Sequence, residues 1–202
     1  MVHFISDMFL LEKDSWKIKK TGKRGWGVFA KKRIKSGVVI SDYLGTIIRN
    51  ADYDLDQDKK GLYLMYFDDQ KSIYPDLSKP GPHLINHSCS PNCWMYVYYG
   101  HTLFFTLRNI EPNEELTISY LLYPNDGTCR PCTHICKCGS EFCTKTMHLS
   151  KHKYDIWHKH QLIENKKTRR KSVSIGQVLP MLSSYPKSIT ISPVYRKIYE
   201  SQ

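Results

Sequence analysis

From about Thr21 onward, the spacing of apolar positions describes short β-type segments separated by turn residues. In RGWGVFA (residues 24–30) two glycines flank Trp26 ahead of Val28-Phe29-Ala30, a pattern for a tight turn that leads into a strand. VVISDYLGTII (38–48) is rich in β-branched and aromatic residues and predicts strands on either side of Gly45. GLYLMYF (61–67), KSIYPDL (71–77), WMYVYYG (94–100) and HTLFFTLRNI (101–110) predict four more, with Tyr99-Gly100 as a hairpin turn. ELTISY (115–120) predicts a further strand that Glu115 leads and Tyr120 ends. Residues 50–60 alternate Asp52, Asp54, Asp56 and Asp58 with no apolar face, so they predict a surface insert or short helix; the glycine and closing glutamate of a calcium loop are missing. Pro124, Asn125 and Asp126-Gly127 mark a loop. Residues 151–171 predict one basic helix, and 172–202 are too rich in turn residues for an element to be assigned.

A chain of 202 residues can build one ordinary core with a small appendage. No run approaches the roughly 18 apolar residues of a membrane-spanning helix, and Asp7, Glu12 and Asp14 interrupt the first apolar stretch. The expectation is a soluble, intracellular protein with no membrane partner. Charge changes the picture further. Of the net +11, residues 1–143 supply +2 (18 basic, 16 acidic) and residues 144–202 supply +9 (12 basic, 3 acidic). A basic final third suits an acidic partner, nucleic acid being the commonest, and a solvated tail is the plain alternative. KKTRRK (166–171) reads equally as a nuclear signal or a phosphate-binding patch. The expected location is the nucleus or chromosome in a eukaryotic host and the cytoplasm otherwise.

Three stretches carry candidate chemistry. NHSCSPNC (86–93) packs amide, imidazole, hydroxyl and thiol groups between two apolar strands; these must find partners, either in a bound ligand or in neighbouring backbone. Tyr120 closes a strand, where a tyrosine by itself is ordinarily core or sheet surface. Five of the seven cysteines, Cys129, Cys132, Cys136, Cys138 and Cys143, fall within fifteen residues, which favours metal ligation over disulfides. CKCGSEFC (136–143) gives three thiolates at C-x-C-x4-C spacing, and tetrahedral zinc needs a fourth: Cys89, or one of Cys129 and Cys132.

Taken in order, RGWGVFA, YLGTII, NHSCSPNC, ELTISY and CKCGSEFC resemble a SET domain followed by its cysteine-rich post-SET segment, over residues 17–149. The resemblance implies a mainly β fold of small antiparallel sheets. In it, the segments holding NHSC and the terminal tyrosine form a knot-like crossing, followed by a small zinc-binding segment and a partly helical C-terminal extension. The corresponding boundaries are a lead-in at 1–20, the SET domain at 21–123, the post-SET segment at 124–149 and the basic extension at 150–202. The implied activity is protein lysine N-methyltransferase, moving a methyl from S-adenosylmethionine to a lysine side chain on a histone or another basic, DNA-associated protein.

Carried over by position, the resemblance assigns Arg24, Gly25, Trp26, Gly27, Asn86 and His87 to cofactor binding, with Tyr66 as a neighbour. Tyr120 becomes the catalytic tyrosine, and Tyr43, Ile118 and Tyr120 line the lysine channel. Cys89, Cys136, Cys138 and Cys143 become ligands of a structural Zn2+, which Cys129 and Cys132 either enter, extend or leave alone, while Cys93 is a buried thiol. Departures from the family pattern are Thr46 for an acidic residue, His83 for an arginine, Ser119 for an acidic or amide residue, and Ile118 for the aromatic that usually limits methyl number. No long cysteine-rich region precedes Thr21, so the C-terminal extension is the candidate stabiliser. The competing readings are an inactive SET-like module that recruits nucleic acid or protein through its basic tail, and a nucleic-acid module built on the cysteines and KKTRRK. The last accounts for nothing between Thr21 and Tyr120.

Overall fold

The computed structural model describes residues 8–22, 24–53, 63–127, 129–167 and 173–199. β1 (Trp16–Thr21) and β2 (Gly25–Ala30) form an antiparallel hairpin in register from Trp16↔Ala30 to Thr21↔Gly25. β1 begins inside the region the sequence reads as a lead-in. Its apolar signal is only Trp16 and Ile18, two positions of one face, set among Lys17, Lys19 and Lys20; Lys19 lies over the Phe29 ring and Lys20 over Trp26.

Two three-stranded antiparallel sheets carry most of the core. In the first, β3 (Val39–Asp42) and β8 (Cys93–Tyr98) flank β9 (His101–Thr106). Every residue of β9 is buried because both faces are covered: Phe104 points into the main core with Ile40, Tyr43 and Ile85, while Leu103 and Phe105 face a second cluster with Trp94, Tyr195 and Ile198. The β8–β9 turn is Tyr99-Gly100, both at positive φ (46° and 86°), the two-residue geometry that matches strand twist. In the second sheet, β4 (Thr46–Arg49) and β5 (Met65–Tyr66) flank β6 (Lys71–Tyr74). The acidic stretch after β4 starts as a short 3-10 turn, Asn50–Asp52, and residues 54–62 lie outside the described residues.

β7 (Asn86–His87) and β10 (Thr117–Ile118) pair in parallel, Thr117 beside Asn86 and Ile118 beside His87. The two segments expected at a crossing therefore run side by side. The longer strand predicted for ELTISY shortens to these two residues because the chain turns away after Tyr120, with Leu121 at φ 55°.

The segment that sequence patterning leaves unassigned is built into the domain. Following α1 (Lys151–Lys167), the basic helix expected from 151, the chain returns through single bridges Thr46↔Val178 and Val38↔Ser188 to α2 (Pro193–Tyr199). The Val39 amide donates to Lys187 O (3.0 Å) and the Ile189 amide to Gly37 O (2.8 Å). Gly37 has φ 80°, and a Cβ there would stand 2.7 Å from Ile189 O, so the close approach requires glycine. Val173 and Leu179 enter the main core, and Tyr195 and Ile198 cover the outer face of β9; burying an apolar side chain of this size contributes about 1.5–3 kcal/mol. The Tyr185 hydroxyl donates to Asp42 Oδ2 (2.8 Å), which is also 2.7 Å from His101 Nδ1, deep in the fold. Among the described residues, no helix is long and apolar enough to cross a membrane.

Candidate functional site

The β1–β2 turn and the β7–β10 pair meet around one carboxylate. Glu115 Oε2 accepts from Arg24 Nη2 (2.5 Å) and Oε1 from Asn86 Nδ2 (2.8 Å); the same amide nitrogen reaches Trp26 O (3.0 Å), and Arg24 Nη1 reaches His87 O (3.3 Å). Gly27 sits against this network: a Cβ there would come within 2.6 Å of Glu115 Oε1, 2.8 Å of Thr21 Cγ2 and 3.0 Å of Asn86 Nδ2. The sequence-predicted Arg24, Gly25, Trp26, Gly27 and Asn86 are thus brought together, and half-exposed Trp26 forms the outer edge. Glu115 was legible only as a strand leader; its position three residues before Ile118 carries no signal until Asn86 is placed beside Thr117.

His87 connects this group to the tyrosine and to the cysteines. The Tyr120 amide can only donate, so His87 Nδ1 (3.2 Å away) accepts, and the ring proton resides on Nε2, which faces Cys89 Sγ at 3.6 Å. Burial first, and the Arg24 charge second, push the imidazole down to about 4, which keeps it neutral in this role. Its ring packs edge-on against Tyr120, centroids 5.4 Å apart. The Tyr120 hydroxyl donates to Ile85 O (3.4 Å), and burial, then repulsion by Tyr63, pushes it up to about 12. Buried Tyr43 donates to Tyr63 O (2.6 Å), and burial, then Tyr120, raises its hydroxyl well above the usual value. Ile118 is buried in the same cluster as Tyr43, with Tyr120 packed against it. His83 stands edge-on to Tyr63 (5.7 Å), with Nδ1 buried and no hydrogen-bond partner among the described residues. Tyr63 was missed by sequence reasoning, because GLYLMYF offers two equivalent tyrosines.

The other of those, Tyr66, is not brought to the Arg24–Asn86 group by any of its described contacts. Its hydroxyl donates to Asp69 Oδ1 (2.9 Å), and it lines a separate cleft with Met95, Tyr96 and Trp157. Cys89, Cys136, Cys138 and Cys143 do converge: their sulfurs lie within 4.8 Å of one another, with Cys89 and Cys136 3.6 Å apart. Four cysteines at that separation suit a tetrahedral, closed zinc site. Cys129 and Cys132 take no part in it and group with His134 and His148 instead. Cys93 is fully buried. Between the NHSC turn and the post-SET segment lies a cleft of about 400 Å³, its open mouth included, lined by His87, Ser119, Thr144, Thr146, Leu149 and Lys153 among others. His87 lines this cleft and its carbonyl accepts from Arg24, so the cleft adjoins the Arg24–Asn86–Glu115 group, a polar set that suits a nucleoside-type cofactor.

Residues 25–121 match the SET domain family model, so the chain carries a SET domain, and the cysteine cluster that follows is of post-SET type. It is 34% identical to histone-lysine N-methyltransferase TRX1 of Oryza sativa over 137 residues, 61% of this chain and 13% of that protein. It is 34% identical to histone-lysine N-methyltransferase Su(var)3-9 of Drosophila melanogaster, over 61% of this chain and 23% of the relative. Histone-lysine N-methyltransferase 2B of Homo sapiens is 30% identical over 66% of this chain and 5% of its own length. The chain therefore spans less than a quarter of each of these relatives. In fold it resembles KRYPTONITE, solved in complex with mCHH DNA, H3(1-15) peptide and SAH, with a TM-score of 0.53 and 23% identity over 65% of this chain and 29% of that one.

Proposed function

We propose that this chain is an S-adenosylmethionine-dependent protein lysine N-methyltransferase acting on a histone or a similarly basic protein. The observation that carries the reading is the parallel pairing of Asn86-His87 with Thr117-Ile118. It brings the Gly27 network, a neutral histidine and Tyr120 beside one another, which supports the roles the resemblance implies. The cofactor, when bound, supplies the electrophilic methyl group.

What the chain's own residues contribute follows from their surroundings. A lysine in water titrates near 10.4, so presenting it neutral near pH 7 costs about 4 kcal/mol. Tyr43, Tyr63, Ile118 and His83 offer a largely apolar, aromatic wall, and desolvation along it disfavours the ammonium. The Tyr120 hydroxyl is too weak an acid to serve as a base when its pKa is near 12; it acts by holding the amine in line through a hydrogen bond. His87 fixes the Tyr120 backbone, and Arg24 with Glu115 holds Asn86 in place. The four-cysteine site would hold a structural zinc that anchors the post-SET segment along the cleft, with no chemical role of its own.

The basic helix α1 supports a substrate-bearing complex that includes nucleic acid, and the named substrates of the relatives support chromatin as the setting. The test is transfer of labelled methyl from S-adenosylmethionine to core histones and other basic proteins, followed by identification of the labelled residue. Methyl-lysine that disappears with Tyr120→Phe is expected. A chain that folds and yet binds no cofactor refutes the reading and favours an inactive SET-like binding module.

A further inference from the structure

We infer that the chain holds a second metal site, a Cys2His2 zinc centre formed by Cys129, Cys132, His134 and His148. This goes beyond the proposed activity and does not depend on it. The four ligand atoms lie within 4.8 Å of one another and none is shared with the four-cysteine site. For zinc–sulfur bonds of about 2.3 Å and zinc–nitrogen bonds of about 2.0–2.1 Å, a tetrahedron puts neighbouring ligand atoms roughly 3.3–3.8 Å apart. Here Cys129 Sγ and His134 Nδ1 are 3.3 Å apart, Cys132 Sγ and His148 Nε2 3.5 Å, the two histidine nitrogens 3.1 Å, and Cys132 Sγ and His134 Nδ1 4.0 Å.

A second observation concerns the tautomer. His148 Nδ1 faces the carbonyl of Tyr123, which can only accept, so the proton sits on Nδ1 and the Nε2 lone pair is turned into the cluster. A carbonyl on the far nitrogen is how ligating histidines are usually oriented. Two thiolates would also cancel the charge of a divalent ion, which suits four half-buried ligands. Two cysteines and two imidazoles with every position filled by protein favour zinc over harder cations, in a structural site.

The local fold explains why these residues meet. Residues 134–136 and 145–147 run antiparallel: Ile135 bridges Thr146, the Met147 amide donates to His134 O (2.9 Å) and the Cys136 amide to Lys145 O (2.9 Å). His134 and Cys136 thus sit two residues apart on one rung-bearing segment, one at each metal site. The first site ties that segment to Cys89 in the NHSC turn. The second ties it to His148, which bridges Leu122 just beyond Tyr120 and stands just before α1. A second centre fixes the exit of the tyrosine strand and the start of the basic helix to the same post-SET segment.

The test is the zinc content of the purified full chain by mass spectrometry, with exchange of the native thiols against a thiol reagent as a second reading. Two zinc ions per chain are expected in the parent, and one fewer in His148→Gln and in Cys132→Ala, while Cys132→His, which keeps a ligand at that position, retains both. In the parent, six of the seven cysteines should be ligands and Cys93 buried, so none should react until a chelator is added. Zinc content unchanged by both His148→Gln and Cys132→Ala would overturn the inference, whether or not the chain transfers methyl groups.

Discussion

The tightest steric statement in the site concerns Gly27, and Gly27→Ala turns it into a measurement. The added methyl would stand 2.6 Å from Glu115 Oε1 and 3.0 Å from Asn86 Nδ2, so against an ordinary contact of 3.4 Å the carboxylate must retreat by about 0.8 Å. It has little freedom to do so, since its two oxygens hold Arg24 Nη2 and Asn86 Nδ2. Weakening one charge-assisted hydrogen bond costs about 1.5–3 kcal/mol, which corresponds to roughly a ten- to hundredfold loss in affinity if the network shapes the cofactor cradle. Calorimetric titration with S-adenosylmethionine measures that, and a thermal melt measures the strain independently. Gly22→Ala is the control, because a Cβ there meets nothing within 4 Å and Gly22 is not at positive φ. A Gly27→Ala chain that melts with its parent and binds the cofactor within threefold of it would refute the steric argument. A chain that melts lower but binds normally would keep the strain and remove the cradle.

Tyr120→Phe should lower turnover by about two orders of magnitude, the scale of loss when a group that aligns the attacking amine is removed, with cofactor affinity nearly unchanged; equal losses in both would make the residue structural. Because burial holds Tyr120 up to about 12, the rate should show no downturn as the pH rises through the ordinary tyrosine range near 10, and a downturn there would contradict its raised value. Tyr185→Phe removes one partner from Asp42, whose Oδ1 has none among the described residues, and should cost about 1–3 kcal/mol, read as a fall of a few degrees in Tm for a chain of this size. His83 is lowered from its ordinary value mainly by burial. A depressed folded value means that the unfolded chain binds more protons below about pH 6.5, so this residue's share of stability is present above that pH and is lost as the pH falls toward the folded value. Melts of the parent and His83→Gln from pH 7.5 downward should therefore converge, and parallel curves would contradict the assignment.

How far the sequence was legible follows the range of the interactions involved. The strands around Gly45 and the Tyr99-Gly100 turn announce themselves through local chemistry, β-branched runs and left-handed turn residues, and they stand where the pattern puts them. β1 hides because only Trp16 and Ile18 of its six residues face the core, while its lysines serve contacts with Phe29 and Trp26 that no local pattern records. The site divides in the same way. Arg24, Gly27, Asn86, His87 and Tyr120 are legible because each lies in a distinctive short motif. Glu115, Tyr63 and His148 are chosen by what lies opposite them: a glutamate among nineteen acidic residues, one tyrosine of fourteen and one histidine of nine carry no mark of their own.

The C-terminal extension is the clearest case of stability that the sequence conceals. Its apolar residues, Val173, Leu179, Tyr195 and Ile198, follow no single period, since an extended strap delivers the first two to one face of the domain and one short helix delivers the last two, three residues apart, to another. Yet β9 has an apolar residue on each face, and a strand whose Leu103 and Phe105 had no cover would expose them to water. The need for a second layer was therefore written in HTLFFT, even though the segment that supplies it was not. A small SET domain with its sheet covered by a strap of its own chain gains by long-range contacts what its short strands alone do not provide, and the two metal centres inferred above would tie the post-SET segment at two further points.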